Sequence, residues 1–219
     1  MAHPQTSSEW DERYSEKERL WSGNPNAMLA RFADQFYSDP SGQGRSALDV
    51  GCGEGADAIW LARQSWNVTG IDLSTVAIQR AKESAAVLNL DAQFHATDAI
   101  EYASHVGSKF DVVTVSFMHS RDEDQRAETM RAIPSFVKPG GQLLVISHAA
   151  MPPWSRHHEH EDRSPRPTFD ITAASEIEAL GLDDTWEIQV AQELERPATG
   201  PDGEEAVLLD AVVLARRGI

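Results

Sequence analysis

The residues best suited to chemistry lie between positions 49 and 55, where Asp49-Val50-Gly51-Cys52-Gly53-Glu54-Gly55 closes a short apolar run. An acid at a strand end, three glycines at alternate positions and an immediate helix-like stretch at 56–65 make a turn against which a nucleotide-like cofactor can lie. Glycine lets the backbone bend through φ values that other residues resist, and it keeps Cβ atoms away from a ligand. A second acid, Asp72, ends the next apolar run, 67–71, about twenty residues downstream. In a doubly wound sheet a carboxylate there holds ribose hydroxyls.

Two cofactor classes share this pattern, and charge separates them. Gly51, Gly53 and Ala56 satisfy the dinucleotide spacing G-x-G-x-x-G/A, so a nicotinamide-dependent oxidoreductase is an alternative. Asp49 and Glu54, however, flank the bend. Two carboxylates repel a diphosphate and suit a ligand carrying a sulfonium and an ammonium group, which favours S-adenosylmethionine. Methyl transfer from a sulfonium is an in-line displacement that needs alignment and exclusion of water. A thiol can react as its anion, whereas a hydroxyl or protonated amine needs a base. His119, after the fourth strand-like run, and His148, at the end of the fifth, fall on the carboxyl edge where open α/β sheets bind ligands. They are the candidate catalytic residues, with an ordinary structural or exposed histidine as the plain alternative. Cys52 has acidic neighbours and reads as a small packing residue, not a nucleophile. A regulator that binds the cofactor without turnover is a third reading.

The elements that would position these residues alternate along the chain. Strands are expected near 46–50, 67–71, 92–96, 110–116 and 142–148, with helices near 56–65, 74–88, 123–137 and 172–180, the grammar of a parallel sheet covered on both faces. The runs 186–194 and 206–216, joined by Pro- and Gly-rich 197–203, should pair as an antiparallel hairpin. Before the first strand, 8–21 places Trp10, Tyr14 and Trp21 near one helical face, and 27–36 reads as a second amphipathic helix. A formal charge of -16 without a basic stripe disfavours nucleic acid, and no apolar run has the length to cross a bilayer. The start of the chain lacks a basic-then-apolar leader, so a single cytoplasmic domain with no membrane partner is expected. Oligomeric state is left open.

Asp49-x-Gly51-x-Gly53-x-Gly55 resembles the first motif of class I S-adenosylmethionine-dependent methyltransferases, and Gly70-Ile71-Asp72-Leu73-Ser74 resembles their second. Trp10-Asp11-Glu12-Arg13-Tyr14, followed by 20–26, looks like the N-terminal cap of small-molecule methyltransferases of the tellurite-resistance and thiopurine S-methyltransferase groups. The resemblance implies a Rossmann-like methyltransferase fold: a doubly wound, seven-stranded, mostly parallel sheet with a C-terminal antiparallel hairpin. A helical cap at 1–40, a cofactor-binding core at 46–150, a substrate lid at 151–170 and a helix with the hairpin at 171–219 would make up one domain.

By the same resemblance, Tyr14 and Trp21 close the pocket over the sulfonium. Asp49, Gly51, Gly53, Glu54 and Gly55 form the cofactor turn, and Asp72 takes the ribose. Leu73, Asp98 and Ala99 meet the adenine, while Ser116 and Met118 line the cofactor on its substrate side with Phe117. The acceptor is a small molecule whose reacting atom is not specified. Within 151–162, His157, His158, His160, Glu159, Glu161 and Asp162 are numerous enough for a metal, but their spacing is not diagnostic. A lid to which Trp154 and Arg156 contribute is preferred, and no metal is expected.

Overall fold

The computed structural model describes residues 6–20, 23–36, 44–105, 107, 109–118, 120, 122–150, 153, 171–200 and 202–219. Helix α1 (Ser7–Ser15) starts from a Thr6/Glu9 capping box, and α2 (Ala27–Phe32) from Asn26, whose side-chain oxygen accepts from Met28 N–H. There follow β1 (Ser46–Val50), α3 (Ala56–Arg63), β2 (Asn67–Asp72), α4 (Thr75–Val87), β3 (Ala92–Ala96), α5 (Ala99–His105), β4 (Phe110–Ser116), α6 (Glu123–Ala132), β5 (Val137–His148), α7 (Ala173–Leu180), β6 (Trp186–Thr199) and β7 (Glu205–Arg217). The seven strands form one sheet in the order β3-β2-β1-β4-β5-β7-β6. The first five are parallel, and β7 inserts antiparallel between β5 and β6.

The central strands read as continuous apolar runs because helices cover both of their faces. Leu48, Val113, Val115 and Val145 pack with Tyr102, Met130, Phe136 and Leu180 on one side. Ala47, Val112, Leu144 and Ile146 pack with Leu29, Phe32, Leu61 and Ile78 on the other.

Several boundaries differ from the sequence expectations. Helix α1 stops at Ser15, so only Trp10 and Tyr14 share its face, with ring centroids 6.2 Å apart. The helix expected over 123–137 becomes a 3-10 turn at Ile133–Phe136. Pro134 has no N–H for an α-helical bond there. Strand β5 starts at Val137 because Gly140, at φ 77°, and Gly141 carry it through a register shift opposite Phe110 and Val112. A Cβ on Gly141 would lie 2.8 Å from the Asp111 carbonyl, so this turn-like sequence is a bulge within a strand. Helix α5 was not anticipated. It is short, and Asp98 caps it by accepting from Glu101 N–H at 2.7 Å.

Asp11, within the aromatic N-terminal motif, joins α1 to the start of α4. Its Oδ1 accepts from Ser74 Oγ (2.6 Å) and Val76 N–H (3.1 Å), and its Oδ2 from Thr75 Oγ1 (2.7 Å). Burial alone would raise this carboxyl, but the hydrogen bonds outweigh it and hold the group below the ordinary aspartate value. A lowered folded value means stabilisation that is complete above the unfolded pKa and lost as pH falls through the folded one. Asp11→Ala is therefore expected to cost about 1 kcal/mol in urea denaturation at neutral pH, the scale of a lost helix cap. The difference should shrink as the pH is taken down through the acid range.

Candidate functional site

Parallel registers bring the predicted motifs to one edge. Val50 lies between Ile71 of β2 and Val115 of β4, so Gly51, Asp72 and Ser116 leave the sheet side by side. Strand order reverses at this point, the crevice where open α/β sheets bind ligands. Gly51, Gly53 and Gly55 have φ values of 72°, 54° and 84°, the left-handed conformations that select glycine. The N–H groups of Gly51 and Cys52 both donate to Ile71 O, at 2.8 and 3.0 Å, which folds the loop back over β2. A Cβ on Gly51 would come no closer than 3.7 Å to the side chain of Met118. That makes a narrow cradle, about one methyl group wide, between bare backbone and Met118.

Asp72 locks the second motif to the first. Its Oδ2 accepts from Gly53 N–H at 2.9 Å and its Oδ1 from Ser74 N–H at 2.8 Å. Burial is the largest influence on this carboxyl and pushes it up, against those two hydrogen bonds. Each oxygen keeps further acceptor capacity, as a pair of ribose hydroxyls requires.

Beneath the turn sits Asp49, 1% exposed. Its Oδ1 accepts from Thr114 Oγ1 at 3.1 Å and the Ala58 N–H also favours its ionised form, but its buried Oδ2 has no donor in full hydrogen-bond geometry. Burial, then the charge of Asp57, then that of Asp72 push the Asp49 carboxyl well up. Asp57, also raised by burial, accepts from the N–H of Asn26 at 2.6 Å and lies beside Ser116. Asn26 Nδ2 is a second buried polar atom without a partner. Such atoms are costly unless something else satisfies them. An oxygen seeking a cation and an amide seeking an acceptor, joined through Asp57, fit the ammonium and carboxylate of an amino acid.

Glu54 requires a correction to the sequence reading. Its Oε1 is paired with Arg80 at 2.9 Å and its Oε2 accepts from Leu20 N–H at 3.1 Å, while Arg80 also donates to Lys17 O at 2.8 Å. It therefore latches the N-terminal segment to α4, and its charge is neutralised. The carboxyls around the turn without a cationic side chain beside them are those of Asp49, Asp57 and Asp72. Asp57 is not among the residues expected from the sequence, and its signal there is an acid two residues after the last glycine.

The remaining residues divide clearly. Ala99 is buried at the start of α5 under the Asp98 cap, and half-buried Leu73 accepts at its carbonyl from Ser7 Oγ. Tyr14, 3% exposed against Trp10, matches a stapling role better than an open aromatic lid. The Cys52 thiol is pushed well up by burial and by Asp49, Asp72 and Asp57, which keeps it protonated. At the carboxyl edge of β5, His148 meets Asp210 and Phe117, and Asp210 also binds Arg196. Asp210 was detectable as an acid inside the apolar run 206–213. Trp21, His119 and the 154–162 segment with its histidines lie outside the described residues.

Strand order, glycine turn and paired acids together define the class I S-adenosylmethionine-dependent methyltransferase architecture. Residues 47–141 match the family described as a methyltransferase domain. It is 33% identical over 115 residues to ribosomal RNA small subunit methyltransferase C of Alcanivorax borkumensis, covering 51% of this chain and 34% of the relative. It is 31% identical over 141 residues to ubiquinone biosynthesis O-methyltransferase of Aeromonas salmonicida, covering 64% and 56%. The chain thus spans from about a third to a little over half of the length of these curated relatives.

Among solved structures, a protein from work on the conversion of a disulfide bond into a thioacetal group during echinomycin biosynthesis superposes with a TM-score of 0.76. Its identity is 21%, over 98% of this chain and 92% of that one. TehB from Haemophilus influenzae gives 0.65 at 17%, over 94% and 66%, and NodS from Bradyrhizobium japonicum with bound S-adenosyl-L-homocysteine gives 0.62 at 19%, over 97% and 99%. At these identities the likeness concerns the fold. Among the described residues no helix is long and apolar enough to cross a membrane.

Proposed function

We propose that this protein transfers a methyl group from S-adenosylmethionine to a small-molecule acceptor, acting in the cytoplasm. The observation that carries this reading is the buried, unpartnered Asp49 Oδ2 under the glycine turn, with Asp57 and Asp72 close by. A diphosphate would oppose ionisation of three carboxyls already pushed up by burial, whereas an ammonium favours their ionised forms and supplies the missing partner. The family match over 47–141 supports the same cofactor.

Asp49, with Asn26 and Asp57 around it, would hold the amino-acid end. The bare backbone of Gly51 and Gly53 would lie against the middle of the cofactor, with Met118 opposite, and Asp72 would take the ribose. Leu73, Asp98 and Ala99 would meet the adenine. Bound there, S-adenosylmethionine supplies an electrophilic methyl group on sulfur. The protein's part is to align the acceptor with that group and keep water out. A net charge of -16 supports a small acceptor over nucleic acid, although one relative is named for ribosomal RNA.

Calorimetric titration with S-adenosylmethionine, S-adenosylhomocysteine and NAD tests the proposal. The first two should bind and NAD should not. Asp72→Ala should weaken S-adenosylhomocysteine binding by about 1–3 kcal/mol, the scale of hydrogen bonds to a charged group. Unchanged affinity in that variant would remove Asp72 from the ribose site.

A further inference from the structure

Four side chains from four strands or strand ends meet beyond the glycine turn. His148, the last residue of β5, is directly opposite Asp210 in the antiparallel ladder with β7, and its Nδ1 lies 3.3 Å from Asp210 Oδ1. Asp210 is 0% exposed. Its Oδ2 accepts from Arg196 Nε at 2.6 Å, and Arg196 Nη2 reaches Oδ1 at 3.4 Å. Burial would raise this carboxyl, yet hydrogen bonds from His148 and Arg196, with the Arg196 charge, outweigh it and hold the group below the ordinary value. An ionised carboxylate is an acceptor only, so the ring nitrogen facing it carries the hydrogen and Nε2 becomes the basic nitrogen.

Phe117 fixes the plane of that ring. The two rings stack with centroids 3.9 Å apart at 15°, and the Arg196 guanidinium lies 5.4 Å from the Phe117 centroid. Phe117 adopts φ 54°, a left-handed conformation that is costly for an aromatic residue, and its N–H donates to Ile146 O at 2.8 Å. Backbone strain of this kind persists where the surroundings enforce it, and it concentrates at functional sites. A clamp between β6 and β7 is already complete with Arg196, which engages both Asp210 oxygens. The histidine and the strained aromatic are additional to it.

Resting on the methyl-transfer reading, we propose that His148 is the general base and that the acceptors are molecules whose reacting atom carries a weakly acidic proton, phenolic hydroxyls above all. Asp210 and Arg196 are positioning residues. The acceptor's O–H bond breaks with its proton passing to His148 Nε2. The oxygen forms the new bond to the methyl carbon as the carbon–sulfur bond breaks, with its electron pair retained by sulfur. The products are a methyl ether, the thioether form of the cofactor and a protonated histidine that returns its proton to solvent. A thiol that ionises unaided gains little from such a base.

The test combines a spectroscopic and a kinetic arm on the full chain. Proton–nitrogen correlation spectra, with the His148 signal assigned by its loss in His148→Gln, should show the Nδ1–H tautomer without any cofactor, and Asp210→Asn should shift it toward Nε2–H. With S-adenosylmethionine and a panel of substituted phenols, His148→Gln should lower kcat on the order of 100-fold or more and Asp210→Asn about 10-fold, with little change in KM. Transfer to thiophenol should stay within about threefold in both, as should S-adenosylhomocysteine affinity. If Asp210→Asn does not fold, the wild-type tautomer and His148→Gln decide alone. An Nε2–H tautomer in the wild type, equal losses on phenols and thiophenol, or no transfer to any phenol by protein that binds the cofactor would overturn the assignment. Failure of the wild type to bind S-adenosylmethionine defeats the methyl-transfer reading itself, an outcome distinct from the tautomer result.

Discussion

Asp49→Asn is expected to weaken S-adenosylhomocysteine binding by about 3 kcal/mol, on the order of 100-fold, while making the free protein more stable at neutral pH. The opposite signs share one cause. In the wild type a carboxyl is held at 1% exposure beside Asp57, with one oxygen unpartnered, and burial followed by the Asp57 charge raises it well above the ordinary aspartate value. A folded pKa above the unfolded one means that stability is lost as pH climbs from the unfolded value through the folded one. Asparagine has no proton to lose, so its advantage should open across that window and stay constant above it. The ammonium of the ligand favours the ionised carboxylate. Wild-type affinity should therefore rise with pH over the same window, with a proton released on binding, and Asp49→Asn should flatten that dependence. Thermal melts at several pH values and calorimetry in two buffers of different ionisation enthalpy read both effects. Lower stability of the variant, or unaltered affinity, would show that Asp49 is not an acid held ready for a cation.

Gly55→Ala and Gly51→Ala are expected to separate stability from binding within one turn. Gly55, at φ 84°, precedes α3, and a Cβ on it would sit 2.9 Å from Ala81 Cβ of α4 and 3.2 Å from the Phe94 ring. Left-handed strain of about 1–2 kcal/mol adds to overpacking of similar size, so Gly55→Ala should lose about 3 kcal/mol in urea denaturation. Gly51, at φ 72°, pays the same conformational cost but has 3.7 Å to its nearest neighbour, Met118. Gly51→Ala should lose only about 1–2 kcal/mol of stability. Its methyl group enters the cradle itself, and affinity should fall by a further 10-fold or more, by loss of contact with bare backbone. Equal stability losses with unchanged binding in both variants would mean that no ligand lies against Gly51.

The structure redistributes the acids that the sequence places around the glycine loop. Glu54 and Asp49 stand symmetrically about the loop in the chain, yet Glu54 turns to Arg80 and Leu20 N–H and loses its influence on the cradle. Asp57 replaces it. Which of three acids within nine residues is taken up by a cationic side chain depends on where α4 and the N-terminal segment pack, and no local pattern encodes that. Asp11 illustrates the same limit, since its three acceptor contacts join positions more than sixty residues apart.

Strand-end acids, alternating glycines and the apolar runs were legible because each reports a local requirement. A left-handed turn demands glycine, and a strand buried on both faces demands continuous apolar residues. Those requirements determined the α/β class, the position of the left-handed glycine turn and the terminal hairpin. The order β3-β2-β1-β4-β5-β7-β6 puts Asp210 opposite His148 although they are 62 residues apart. Only that long-range pairing turns a histidine at a strand end into an oriented one and an acid in an apolar run into its partner. A chain pattern specifies which groups are present and which conformations they tolerate, whereas the field and geometry that each group meets arise from neighbours supplied by distant segments.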